Sequence, residues 1–291
     1  MNNKKAALEW GKKTYVMGII NLTPDSFSGD GTLQDRDPFQ YTLEKAKQFL
    51  ENGADILDIG AESSRPGSKP ISASLELRRL LPVLKALKKE NVRGIISIDT
   101  YKAKVAKQCL ENGADWINDI WGLRKDANLA NILSKYDAPI ILMHNRSKPG
   151  AVKNNERLGS VYQGADYSNF MEEIKSDLLE SVSQALKAGI NKENIILDPG
   201  IGFGKTVHQN LALINRLDEI KALGYPILIG PSRKSFLGAI LDLPVEERLE
   251  GTAASIAIGI ARGADIVRVH DVKSMARIVK VTDALTRHVT N

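Results

Sequence analysis

One cysteine, Cys109, stands among the 291 residues. An internal disulfide is therefore excluded, and the chain reads as a protein of a reducing compartment, the cytoplasm. No H-E-x-x-H and no cysteine pair occurs, and histidines number only four, so a zinc site is not expected. Long apolar runs are missing too: the most apolar, "AASIAIGIA" (253–261), is far too short to span a bilayer. The opening "MNNKKAALEW" has lysines without the apolar stretch of a signal peptide. There is no basic block either. The net charge is +5, but lysine and arginine are scattered among acids along helical stretches. That pattern fits solvated helix faces and mild steering of a small anion; neither nucleic acid nor membrane is expected as a partner.

Low-complexity segments and long linkers are likewise absent, and one phrase recurs instead. "FLENGADILDIGA" (49–61), "CLENGADWINDI" (109–120) and "IARGADIVRVHD" (260–271) share a helix end, a Gly-Ala-Asp turn and an apolar strand. The glycine suits a helix C-terminal position that needs positive φ, and the unit is the helix-to-strand half of a βα repeat. Counting such units predicts eight strands, at 14–21, 54–61, 93–100, 115–121, 138–144, 194–199, 226–231 and 264–270. Helical patterns such as 42–52 and 176–189 lie between them. The strands are mostly continuous apolar runs, as expected when both faces are covered by helices. The fold class read from this is α/β, a (β/α)₈ barrel in a single domain over 1–291. A doubly wound open sheet is the alternative, although it more often has fewer strands and one dominant glycine fingerprint.

A barrel demands that function sit where strands end. The residues there are Asn21, Asp58, Glu62, Asp99, Asn118, Asp119, His144, Asp198, Arg233, Lys234, Arg268 and His270. Buried polar groups without partners cost about 1–3 kcal/mol, so packing alone does not explain them. Asp58, Asp99 and Asp198 close three separate apolar strands and suit either a hard metal ion shared with phosphate or a donor-rich heterocycle. "SRKS" (232–235) and "RVHD" (268–271) bring cations to the ends of strands seven and eight, where barrels often bind phosphate. Phe27, in the polar first loop, either pins that loop to the core or closes over a flat substrate. His208 and His288 read as surface residues. No Ser-His-Asp arrangement is present.

"DPGIGFGKT" (198–206) looks like a phosphate-binding loop but fails the spacing. Only three residues separate Gly200 from Gly204, and the position where the first glycine belongs holds Pro199. What remains is a strand ending in Asp198 and glycines that let the backbone pass close to a bound ring.

The chain resembles the dihydropteroate synthase family across nearly its whole length. The resemblance is carried by "MGIINLTPDSFS" (17–28), "DIGAESSRPG" (58–67), "ISIDTYK" (96–102), "INDI" (117–120), "LDPGIGFGK" (197–205), "SRKSFLG" (232–238) and "RVHDV" (268–272). It implies condensation of dihydropterin-CH₂-diphosphate with 4-aminobenzoate in folate biosynthesis, releasing pyrophosphate, by a dissociative route assisted by Mg²⁺. It also implies a homodimer and a sulfonamide target. By matching motifs, Asp99, Asn118, Asp198, Lys234 and Arg268 would hold the pterin. Asn21, Ser64, Arg268 and His270 would face the diphosphate, with Asn21 also a magnesium ligand. Phe27, Ser64, Arg65, Pro66, Phe203 and Ser235 would surround 4-aminobenzoate. The catalytic set would be Asn21, Lys234, Arg268 and His270.

There are departures. The first loop runs "SFSGDG" where the family commonly has S-F-S-D-G-G, which displaces Asp30 by one position, and Ser64 replaces a usual threonine. The loop at 146–167 has no assignment. Two rivals remain: a methyltetrahydrofolate-binding methyltransferase, which has no use for a diphosphate site, and a silent pterin-binding paralogue. Loss of Asn21, Lys234 or Arg268 would mark the latter, and all three are present.

Overall fold

Each strand of the barrel is a short apolar run buried on both faces. In the computed structural model, which describes residues 8–22, 38–64, 67–148, 152–153, 161–162 and 164–287, the runs form eight parallel strands. They are β1 (Tyr15–Asn21), β2 (Ile56–Gly60), β3 (Ile95–Asp99), β4 (Trp116–Asp119), β5 (Ile140–Met143), β6 (Ile195–Asp198), β7 (Leu228–Ile229) and β8 (Ile266–Val269). Their order around the sheet is β6-β5-β4-β3-β2-β1-β8-β7. The seam between β6 and β7 is joined by a parallel bridge, Leu197 to Ile227, with the Leu197 N–H donating to the Pro226 carbonyl at 2.9 Å. All eight strands lie within the ranges expected from sequence.

Helices follow the strands and cover the outside. They are α1 (Pro38–Glu51), α2 (Ala73–Lys89), α3 (Ala103–Glu111), α4 (Leu129–Tyr136), α5 (Phe170–Lys187), α6 (Val207–Asn215), α7 (Leu217–Lys221), α8 (Ser235–Leu241), α9 (Leu249–Ala261) and α10 (Val272–Thr286). The long connection from β5 to α5 carries a small antiparallel ladder, Val152–Lys153 against Val161–Tyr162.

Two apolar layers result from the period of two. Outward residues such as Ile59, Ile98, Ile117, Leu142, Leu197 and Val267 pack under the helices. Inward residues, among them Met17, Ile56, Ile95, Trp116, Ile141, Ile196, Leu228 and Ile266, fill the barrel's lower interior.

The recurring Gly-Ala-Asp turn is a three-part device. Gly53, Gly113 and Gly263 take φ of +98°, +105° and +102°, which L side chains rarely adopt. Ala54, Ala114 and Ala264 are buried. The aspartates clamp each strand to the one before it. Asp55 accepts the Val16 N–H at 2.9 Å, Asp115 that of Ile96 at 2.9 Å, and Asp265 that of Ile227 at 2.8 Å. The sequence signals the glycine; the use of the carboxylate appears only when neighbouring strands are in register.

Candidate active site

The same period of two builds the site. Moving up each strand by two from the interior apolar layer, Ile56 leads to Asp58, Ile95 to Ser97 and Asp99, Trp116 to Asn118, Ile196 to Asp198 and Ile266 to Arg268. The interior therefore changes from an apolar floor to a polar mouth at the carboxyl ends.

Asp58, fully buried, is the hub of that mouth. It accepts the Ser97 hydroxyl at 2.6 Å, the Asn118 carboxamide N–H at 3.0 Å and the Arg268 Nε–H at 2.6 Å. Arg268 also donates from Nη2 to Asp99 at 2.9 Å. Burial pushes the Asp99 carboxyl up, against the pull of Arg268. Two carboxylates thus fix the guanidinium plane and leave its Nη1 and its flat faces for other partners. Because its N–H₂ points to Asp58, Asn118 presents Oδ1 as a buried acceptor that has no partner among the described residues.

Asp198 ends β6, 6% exposed, and accepts the Gly200 N–H at 2.7 Å. Burial pushes its carboxyl up to about 6, while that N–H and the Lys234 and Arg268 charges oppose the shift. Lys234 lays its stem over Gly202, where an added Cβ would come within 2.8 Å of the lysine Cδ. Its ammonium sits 4.0 Å from the centre of the Phe203 ring. Burial, then the Arg268 charge, lowers Lys234 to about 8. Ser64, Asp99, Asn118, Asp198, Phe203, Lys234 and Arg268 line one inner cleft. An outer cleft shares Ser64 and Phe203 and adds Tyr101, Trp121, Lys125 and Asn145.

Of the other residues expected at the site, Asn21 ends β1 and is half-buried, and His270 follows the adjacent strand β8. His270 Nδ1 lies 3.0 Å from the Ser232 hydroxyl, whose oxygen also accepts the His270 backbone N–H at 3.2 Å. Ser235 is the first residue of α8 and is half-buried, outside the wall of the inner cleft. Phe27, Asp30, Arg65, Pro66 and His288 lie outside the described residues.

Several strand-end polar residues serve the scaffold instead. Asp119 accepts the N–H groups of Trp121 and Leu123 at 2.8 and 2.6 Å and shapes the turn that carries Trp121. Glu62 pairs with Lys102, and Arg233 holds Asp271 with two hydrogen bonds of 2.9 and 2.6 Å. His144 is buried between Asp177 and Lys205. Sequence reasoning singled out Asp58 as a carboxylate but not as the support of Arg268 and Asn118. It passed over Lys205, Trp121 and Lys125; an aromatic and a cation after a strand-ending acid in "DIWGLRK" were the available signal for the last two.

For Mg²⁺, the donor chemistry fits. Among the described residues no group of three or more His, Cys, Asp or Glu is placed to hold an ion alone. An ion beside the Asn21 carboxamide oxygen would draw its other oxygens from a substrate diphosphate and water, which is how Mg²⁺ commonly binds.

Comparison with known proteins agrees with the geometry. The profile of the pterin binding enzyme family matches residues 17–270. A dihydropteroate synthase of Clostridium beijerinckii is 50% identical over 278 residues, covering 95% of this chain and 96% of that one. The crystal structure of a Clostridium difficile dihydropteroate synthase, obtained in the presence of pteroic acid, superposes with a TM-score of 0.87 at 46% identity, covering 96% of this chain and 99% of that one. A Xanthomonas albilineans dihydropteroate synthase with 4-aminobenzoic acid gives 0.84 at 33% identity, covering 94% of both chains. Its inward carboxylates and stapled arginine stand at the mouth of a barrel matched over nearly its whole length, and the chain belongs to the pterin-binding enzyme family, among the dihydropteroate synthases.

Proposed function

We propose that the barrel mouth joins the methylene carbon of a dihydropterin diphosphate to the amine of 4-aminobenzoate. The observation that carries the assignment of roles is the fixed Arg268 plane beside Asn118 Oδ1, unpartnered among the described residues, and the Asp198 carboxylate, all in one cleft. A pterin edge presents adjacent N–H donors, and two acceptors at the base of a cleft match it. Asp198 takes the amino group and neighbouring N–H, Asn118 accepts at its free oxygen, and the face of Arg268 stacks on the ring. Ser64 and Phe203 belong to both clefts, so the second substrate is seated between them, with Lys234 over the Phe203 ring.

The C–O bond to the diphosphate breaks first, and its electron pair leaves with pyrophosphate. The arylamine lone pair then attacks the methylene, and the amine proton passes to solvent. Cations held in place before the reaction stabilise the charge that develops on the leaving group. Arg268 Nη1 fills that role, and neutral His270 and the Asn21 carboxamide add polar contacts beside it on the adjacent strands β8 and β1. Bound Mg²⁺ would supply Lewis-acid neutralisation of the diphosphate. The reading includes a homodimer formed through the last helices and a cytoplasmic setting, which the single buried Cys109 suits.

The test is a coupled assay of pyrophosphate release from dihydropterin diphosphate and 4-aminobenzoate, with Mg²⁺ and with chelator. Release that needs both organic substrates and falls on chelation is expected. Folded protein that releases no pyrophosphate sinks the reading.

A further inference from the structure

The loop after β6 serves both substrates at once, since Asp198 begins it and Phe203 lies in its middle. Gly200, Gly202 and Gly204 take φ of +70°, +83° and +60°, so the loop has unusually free backbone and needs an external restraint. Lys205 supplies one. Its side chain is 5% exposed, and its ammonium donates to the Gly200 carbonyl at 2.9 Å, the Phe203 carbonyl at 3.1 Å and His144 Nδ1 at 3.1 Å. An ammonium has three donors and no acceptor, so all three are used and His144 Nδ1 must carry a lone pair.

The ring proton of neutral His144 therefore sits on Nε2, 3.0 Å from Asp177 Oδ2. Asp177 in turn accepts from Arg146 Nε at 2.6 Å and Nη2 at 2.9 Å. The result is a chain of side chains running from α5, past the end of β5, into the loop that presents Phe203. Burial lowers His144 to about 4 and keeps it neutral. Burial also lowers Lys205 to about 7, with the Asp198 charge opposing and the Lys234, Arg124 and Arg146 charges adding to it.

We propose that Lys205 is a positioning residue for the arylamine substrate, its ammonium folding the loop so that the Phe203 ring lies under Lys234 and forms the seat for 4-aminobenzoate. This rests on the synthase reading above. Lys205 acts through Phe203 and touches no substrate. It serves the arylamine seat more than the pterin seat because two of its three bonds go to the carbonyls of Phe203 and of Gly200, which itself accepts the Phe203 N–H, whereas Asp198 is also held by its own strand and by the Gly200 N–H.

The variants are Lys205→Met, Lys205→Arg and His144→Gln, with the two substrates titrated separately and unfolding followed by thermal denaturation. Loss of a buried charge-assisted brace should raise the KM for 4-aminobenzoate by roughly tenfold or more in Lys205→Met, with the KM for dihydropterin diphosphate within about threefold of wild type. Lys205→Arg, which keeps a charged donor, should recover part of the loss. His144→Gln should move the same KM in the same direction by a smaller factor, and it decides the matter if Lys205→Met does not fold. An unchanged 4-aminobenzoate KM in the folded variants, or an equal rise for both substrates, overturns the proposal. Wild-type protein without pyrophosphate release would instead overturn the synthase reading itself.

Discussion

Asp198 and Lys234 set the protonation window of the site. As an acceptor for ring N–H groups Asp198 must be ionised, and its carboxyl is pushed up to about 6. Lys234 must be an ammonium to keep its contact over the Phe203 ring, and it is lowered to about 8. Falling pH therefore removes the acceptor and rising pH removes the cation. We expect a bell-shaped dependence on pH of kcat/KM for dihydropterin diphosphate, with limbs near these two values, and a basic limb nearer 7 for 4-aminobenzoate, whose seat also needs the Lys205 ammonium; kcat/KM reports the free enzyme, so the comparison is direct. An acid limb at an ordinary carboxylate value near 4 would contradict the assignment. Asp198→Asn keeps the size and removes the charge. A lost hydrogen bond to a charged group is worth about 1.5–3 kcal/mol, so pterin affinity should fall about 10- to 150-fold while the thermal midpoint holds, because a buried carboxyl has been removed. Calorimetric titration with a pterin would show it; unchanged affinity would remove Asp198 from ring recognition.

Among the elements, β7 is the weak member. It spans two residues, Leu228–Ile229, and meets β6 only through the Leu197–Ile227 bridge. Its start depends on Asp265, which accepts the Ile227 N–H at 2.8 Å and pairs with Lys221. Asp265→Ala removes both partners and leaves a buried N–H behind, at a cost of about 1–3 kcal/mol. Urea unfolding should register that loss, and hydrogen exchange should rise at residues 226–230 first. Asp55→Ala is the control. It removes the equivalent clamp from β1, a strand of seven residues paired on both sides, and a smaller effect is expected there. Equal losses in the two variants would show that the seam is not the weak point. The Gly-Ala-Asp phrase was legible as a turn from sequence because positive φ is a local demand. Its aspartate was not, because the N–H it accepts belongs to a different strand.

At the scale of the whole molecule, the last helix separates two roles that its sequence mixes. In α10, Val279 is buried at 5% exposure, while Val281 and Leu285 stand at 61% and 70%. Ile258, on the neighbouring helix α9, is 50% exposed. Exposed apolar groups on two neighbouring helices fit the proposed homodimer. Val281→Lys with Leu285→Lys should convert a dimer to a monomer in sedimentation velocity. Fold stability should change by no more than about 0.5 kcal/mol, since both positions are exposed. A wild-type chain that sediments as a monomer would end the dimer reading.

The sequence by itself determined the strands and the residue types at their ends. Burial on both faces writes continuous apolar runs, and alternation over two residues is a local property that a single chain records. It therefore placed Asp99, Asn118, Asp198, Lys234 and Arg268 at one mouth before any contact was known. Only the tertiary structure decided which polar groups pair. Arg268 meets Asp58 across 210 residues of sequence, and Lys205 meets His144 across 61. Arg233 turned away to Asp271, and Asp119 folded into its own loop. Those outcomes depend on distances between separate strands and on which buried groups must satisfy one another. No local pattern carries that information.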